Sequence, residues 1–244
     1  MMKPTVYATY KGGPMLPIQE FDDFLEAGFL TDTAGRAGKF DETADSGEWL
    51  VTVVDGDGDN AETITIIDDG KGGWLKLLNN DKDNDCINMQ KNGEMYKADA
   101  ELNYETRLRI TDVSETDFMF GLGISDTEAL GSIDTAGANP GISDFIGFLC
   151  PDSSGNVYAA TIKDSVVTIA DTGVDVADAT ANTFSFEYDA DAGEVKFYID
   201  GNHVATSSTN IPTDQTVSPL YQVRNDGAVA QSMEIDYYFV QNKR

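Results

Sequence analysis

Apolar residues recur at every second position through much of this chain, and that period constrains the fold more than any other feature. Across residues 102–110 one face carries Leu102, Tyr104, Thr106, Leu108 and Ile110, and the other Asn103, Glu105, Arg107 and Arg109. The same period runs through Phe118, Phe120, Leu122 and Ile124, through Phe184, Phe186 and Tyr188, and through Val195, Phe197 and Ile199. A last segment places Met233, Ile235, Tyr237 and Phe239 on one side and Glu234 and Asp236 on the other. Alternation of this kind marks half-buried antiparallel strands. Asp55-Gly56, Asp69-Gly70, Asp200-Gly201 and Asp226-Gly227 fall between strand-like runs, where a turn needs positive φ. Helical spacing is confined to Phe21–Leu30 and a single turn at Asp126–Leu130. So few helices cannot cover a parallel sheet. The expected fold is all-β, an antiparallel β-sandwich, over residues 20–244.

Charge narrows the partners. The chain of 244 residues has 43 acidic and 16 basic side chains, a formal net charge of −27. Such a surface repels phosphate backbones and anionic headgroups, so no nucleic acid and no membrane is expected as a partner. No apolar run is long enough to span a bilayer, and the N-terminus lacks a signal-peptide core, so classical secretion is not expected. Cys86 and Cys150 stand far apart and outside any CxxC pattern, which reads as two free thiols. His203 is the one histidine, which excludes multi-histidine metal centres. No GxSxG elbow, P-loop or GxGxxG motif is present.

Residues 1–19 differ from the rest. They hold Pro4, Pro14, Pro17 and Gly12-Gly13 with no Asp or Glu, which argues for an extended arm. Val6, Tyr7, Tyr10, Met15, Leu16 and Ile18 would supply apolar docking contacts; a frayed terminus is the plainer alternative.

The segments Thr183-Phe184-Ser185-Phe186-Glu187-Tyr188-Asp189 and Val195-Lys196-Phe197-Tyr198-Ile199-Asp200-Gly201, with the closing Ile235-Asp236-Tyr237-Tyr238-Phe239-Val240, resemble the concanavalin A-like, laminin-G-like jelly-roll family. Asn79–Asp85, Asn88-Met89-Gln90-Lys91-Asn92-Gly93-Glu94 and Phe118–Leu122 are similar to jelly rolls of tailed-bacteriophage virions. That resemblance implies a non-enzymatic virion structural protein, a capsid decoration or cement protein assembled in the host cytoplasm. Its arm would dock on capsid or other virion proteins, and homo-oligomers are open to it. The alternative reading is a lectin-like carbohydrate-binding module, with or without calcium, used in host adsorption.

Three constellations bear on chemistry. Some jelly rolls of this kind cleave β-glucans with a Glu-x-Asp-x-x-Glu strand; Glu234 and Asp236 begin that pattern, but Phe239 stands where the second glutamate would be. A retaining glycosidase needs both carboxylates, so no catalytic residues and no enzyme activity are expected. Asp55, Asp57 and Asp59, and Asp81, Asp83 and Asp85, alternate carboxylates as a calcium loop does, the Asp81 loop being the better candidate; neither follows the EF-hand pattern, and an acidic turn between strands is the plainer reading of each. Trp49, Trp74, Tyr158 and Tyr221 are the aromatic candidates for a glycan platform, with Trp49 and Trp74 in strand-like runs that favour the core.

Overall fold

A computed structural model describes residues 18–22, 43–45, 49–54, 62–68, 73–93, 95–124, 141–151 and 153–243. The described strands begin with β1 (Ile18–Asp22), β2 (Thr43–Asp45), β3 (Trp49–Val54), β4 (Thr63–Asp68), β5 (Gly73–Leu78) and β6 (Cys86–Lys91). They continue with β7 (Tyr96–Lys97), β8 (Leu102–Ile110), β9 (Thr116–Gly123), β10 (Phe145–Cys150), β11 (Asn156–Lys163) and β12 (Val166–Asp175). The last five are β13 (Asn182–Asp189), β14 (Glu194–Ile199), β15 (Asn202–Ser207), β16 (Thr216–Asn225) and β17 (Ser232–Asn242).

These strands form two antiparallel sheets packed as a sandwich. Sheet I has the order β15-β14-β13-β8-β17-β5-β4, with β1 on β17; sheet II has the order β12-β11-β10-β9-β16-β6-β3-β2, with β7 on β16. The alternation expected at residues 102–110 appears as β8, buried at every odd step from Leu102 to Ile110. The hairpin of β14 and β15 turns at Asp200 and Gly201, whose φ angles of 50° and 75° are those of a primed turn. The Asp200 carboxylate also accepts from the Thr183 amide at 2.8 Å, which ties the turn to β13.

The core lies between the sheets and is largely aromatic. Phe120, Phe148, Phe184 and Phe197 meet at centroid distances of 4.8–5.6 Å. Tyr104 stacks on Phe186 at 5.1 Å. Burial of one such ring stabilises by about 1.5–3 kcal/mol.

Two sequence expectations are corrected. Phe21 does not begin a helix: Phe21 and Asp22 belong to β1, paired with Phe239 and Tyr238, because the edge of β17 takes a strand there. The rest of that segment, and Asp126–Leu130, lie outside the described residues. The final strand also breaks its period. A β-bulge between Ile235 and Tyr237 shifts the register, so Tyr238 and Val240 turn into the core while Tyr237 and Phe239 turn outward.

Polar links also cross the sandwich, among them Tyr104 to Tyr221 and an acidic one at β1. Glu20 of β1 accepts from Lys91 Nζ of β6 at 2.6 Å and from the Tyr96 hydroxyl of β7 at 2.5 Å. Burial opposes ionisation of Glu20, but Lys91 and Tyr96 outweigh it and hold the carboxyl below its usual range.

Candidate functional site

Alternation fixes which side chains face outward. In β3, β6 and β16 the core takes Val51 and Val53, Ile87 and Met89, and Tyr221 and Val223. The intervening Thr52, Asn88 and Gln222 therefore point away from the core. They are register partners, Thr52 opposite Asn88 and Asn88 opposite Gln222, and make one straight row across three strands. Two strand spacings give the row a length of about 10 Å.

The row is uncharged and incompletely satisfied. Thr52 Oγ1 and Asn88 Oδ1 have no hydrogen-bond partner, although the two residues are only 8% and 2% exposed. Each such buried group costs about 1–3 kcal/mol. Gln222 Nε2 is directed to Cys86 Sγ at 3.0 Å. On one side lies the row of Gln90 and Leu220; Gln90 Nε2 donates to the Ile124 carbonyl at 2.7 Å. On the other side lie Cys86, Arg224 and Asp117, with Arg224 paired to Asp117 and its Nε buried without a partner. Val54, opposite Cys86 on the same face, is 41% exposed. The arrangement offers acceptors at Thr52 and Asn88 and a donor at Arg224, which suits a ligand rich in hydroxyl groups.

The outer face of sheet I is different. Glu234, 7% exposed, is held by Arg109 Nε at 2.5 Å and by Lys76 Nζ at 3.5 Å; Asp236 is held by Arg107 Nη1 at 2.5 Å. Both guanidinium groups also lie over the Trp74 ring, 5.1 Å (Arg107) and 4.6 Å (Arg109) from its centroid. Phe239 stands opposite Glu105, which accepts from the Tyr237 hydroxyl at 2.8 Å. Burial and Glu105 together push the Tyr237 hydroxyl above its ordinary value. The Glu-x-Asp pair thus lies on the outer face of sheet I, with Glu234 buried, and each carboxylate is charge-paired within its own sheet.

Trp49 and Tyr221 are core, Trp49 packing edge-on to Tyr238 at 5.7 Å. Trp74 is on the outer face of sheet I, and Tyr158 packs against a smaller apolar cluster on the outer side of sheet II. Asp81 pairs with Lys82 at 3.0 Å, Asp83 is exposed, and buried Asp85 accepts from the Lys82 amide at 3.2 Å. Among the described residues no three His, Cys, Asp or Glu side chains gather as a metal site. Asp55, Asp57 and Asp59 lie outside the described residues, as do Val6, Tyr7, Tyr10, Met15 and Leu16; Ile18 is in β1. Cys86 and Cys150 are free and buried.

No protein-family model matches this chain, and no curated protein sequence does. Solved structures share its fold. A glycoside hydrolase family 16 endo-glucanase from Bacteroides ovatus superposes with a TM-score of 0.57 at 16% identity, over 90% of this chain and 98% of that one. A β-1,3-glucanase from Mycobacterium marinum gives 0.56 at 16%, over 94% and 100%. The carbohydrate recognition domain of Emp46p, in its potassium-bound form, gives 0.52 at 13%, over 88% and 94%. At these identities the likeness is one of fold, a concanavalin A-like jelly roll.

These neighbours are carbohydrate-active proteins, which overturns the expectation of a phage capsid decoration or cement protein. The expectation that the chain is not an enzyme is overturned with it, because glucan-cleaving enzymes share the fold over nearly its whole length. A shared jelly-roll fold does not carry a function with it.

Proposed function

We propose that this chain is a carbohydrate-recognising jelly roll that holds a glycan along the outer face of sheet II, on Thr52, Asn88 and Gln222. The observation that carries this reading is the pair of buried, unpartnered oxygens, Thr52 Oγ1 and Asn88 Oδ1, in register on adjacent strands. Ligand hydroxyl groups recover the hydrogen bonds that the protein leaves unmade. The carbohydrate-active fold neighbours support the same ligand class.

Isothermal titration with cellotetraose and with a mixed-linkage tetrasaccharide tests the reading. Binding by the native chain, weakened tenfold or more in Asn88→Ala with the fold retained, is the expected result. Binding unchanged by Asn88→Ala removes the site. The same mixtures, assayed for new reducing ends, test cleavage of the bound glycan, and repetition with a chelator tests calcium at the Asp81 loop.

A further inference from the structure

We infer that Asp117 sets the charge class of the ligand: by neutralising Arg224 at the end of the Thr52–Asn88–Gln222 row, it restricts the face to uncharged glycans. This rests on the glycan reading above and goes on to name the kind of glycan.

Asp117 and Arg224 are register partners on β9 and β16, one row along from Gln222. The Arg224 Nη2 donates to Asp117 Oδ2, and the side chains are only 17% and 10% exposed. Asp117 is fixed from its other side as well. The Ser153 amide donates to Asp117 Oδ1 at 3.0 Å, and the Ser153 hydroxyl reaches Asp226 Oδ2 at 2.6 Å. The carboxylate is thus locked in place against the guanidinium.

Arg224 keeps one group in reserve: its Nε is buried and has no partner. An arginine with a free Nε–H beside a binding row would ordinarily recruit a carboxylate, through a bidentate pair of parallel hydrogen bonds. Here the neighbouring Asp117 balances the charge and engages Nη2, while the Nε–H stays unengaged. A hydroxyl oxygen accepts from it without penalty. A uronate carboxylate would be brought up against Asp117 in a poorly hydrated site, where like charges interact strongly. The net charge of −27 adds a long-range repulsion of the same sign. The row itself, Thr52, Asn88 and Gln222, holds no charge with which to offset either.

The test compares cellotetraose with an oligoglucuronate of the same length, titrated against the native chain, Asp117→Asn and Arg224→Gln. The native chain is expected to bind cellotetraose at least tenfold more tightly than the uronate. Asp117→Asn leaves the guanidinium uncompensated and is expected to gain at least tenfold for the uronate relative to cellotetraose. Arg224→Gln keeps the acid and loses the donor, so it is expected to weaken cellotetraose several-fold and still exclude the uronate. Equal binding of both glycans by the native chain overturns the inference, and so does an Asp117→Asn protein, folded by its thermal transition, with unchanged preference. If Asp117→Asn does not fold, a gain of uronate binding in Arg224→Gln overturns it. Binding of neither glycan by the native chain overturns the glycan reading itself.

Discussion

Thr52 and Asn88 face each other across β3 and β6, and the side-chain oxygen of each is buried without a hydrogen-bond partner. A residue kept for folding alone gains nothing from such a group. Replacement of Thr52 by Val keeps the shape and removes the hydroxyl. We predict that Thr52→Val is more stable than the native chain by about 1 kcal/mol, read as a shift in the urea midpoint, while its glycan affinity falls.

Glu20 and Lys91 join β1 to the opposite sheet through a largely buried pair. The folded-state value of Glu20 is depressed, so its contribution is fully present above the unfolded value near 4.5 and is lost as pH falls through the lower folded value. Urea unfolding between pH 2 and 7 is expected to show an acid loss of stability that is reduced in Glu20→Gln. Removing the cation instead, in Lys91→Met, leaves the half-buried carboxylate without a counter-charge, and costs about 3 kcal/mol at pH 7.

Gly121 of β9 and Gly147 of β10 are register partners, and their backbones approach too closely for side chains. A Cβ on Gly121 would meet the Ile146 carbonyl oxygen, and one on Gly147 the Phe120 carbonyl oxygen and the Phe145 ring. Neither backbone oxygen can move without breaking the sheet. Gly147→Ala is therefore expected to lose about 3 kcal/mol or more, visible as a fall in the melting temperature.

Burial pushes the Cys86 thiol up to about 11, with Gln222 opposing, and burial likewise raises Cys150 to about 11. Neither thiol presents a thiolate near neutral pH. With a chromogenic disulfide at pH 8, the folded chain is expected to show no rapid thiol release, and the urea-unfolded chain two equivalents.

Much of the sandwich is legible in the sequence because period two is a local signal. Leu102–Ile110 reads directly as β8, and Glu194–Ser207 as the β14–β15 hairpin. The last strand reads only in part. The bulge after Ile235 is set by pairing with β8, and it sends Tyr237 and Phe239 to the face opposite the one that simple alternation gives them. Helical spacing at Phe21 is overridden because β17 offers an unpaired edge there.

The candidate site is less legible for a related reason. Thr52, Asn88 and Gln222 come together only through the order β3-β6-β16, which no local pattern encodes. A signal did exist in Cys86-Ile87-Asn88-Met89-Gln90, where amides alternate with core residues. It identifies an outward amide face, but not the strands that flank it. Glu234 and Asp236 stand out by their spacing, but their ion pairs with Arg109 and Arg107 come from the pairing of β17 with β8, which is not local.

The most direct test of glycan recognition on sheet II is residue-resolved nuclear magnetic resonance during titration with cellotetraose. Glycan recognition on this face gives saturable shifts centred on Thr52, Asn88, Gln222 and Arg224, with the side-chain amide of Asn88 among the largest. Shifts centred instead on Trp74, Arg107 and Glu234, or no saturable shift at any concentration, would contradict it.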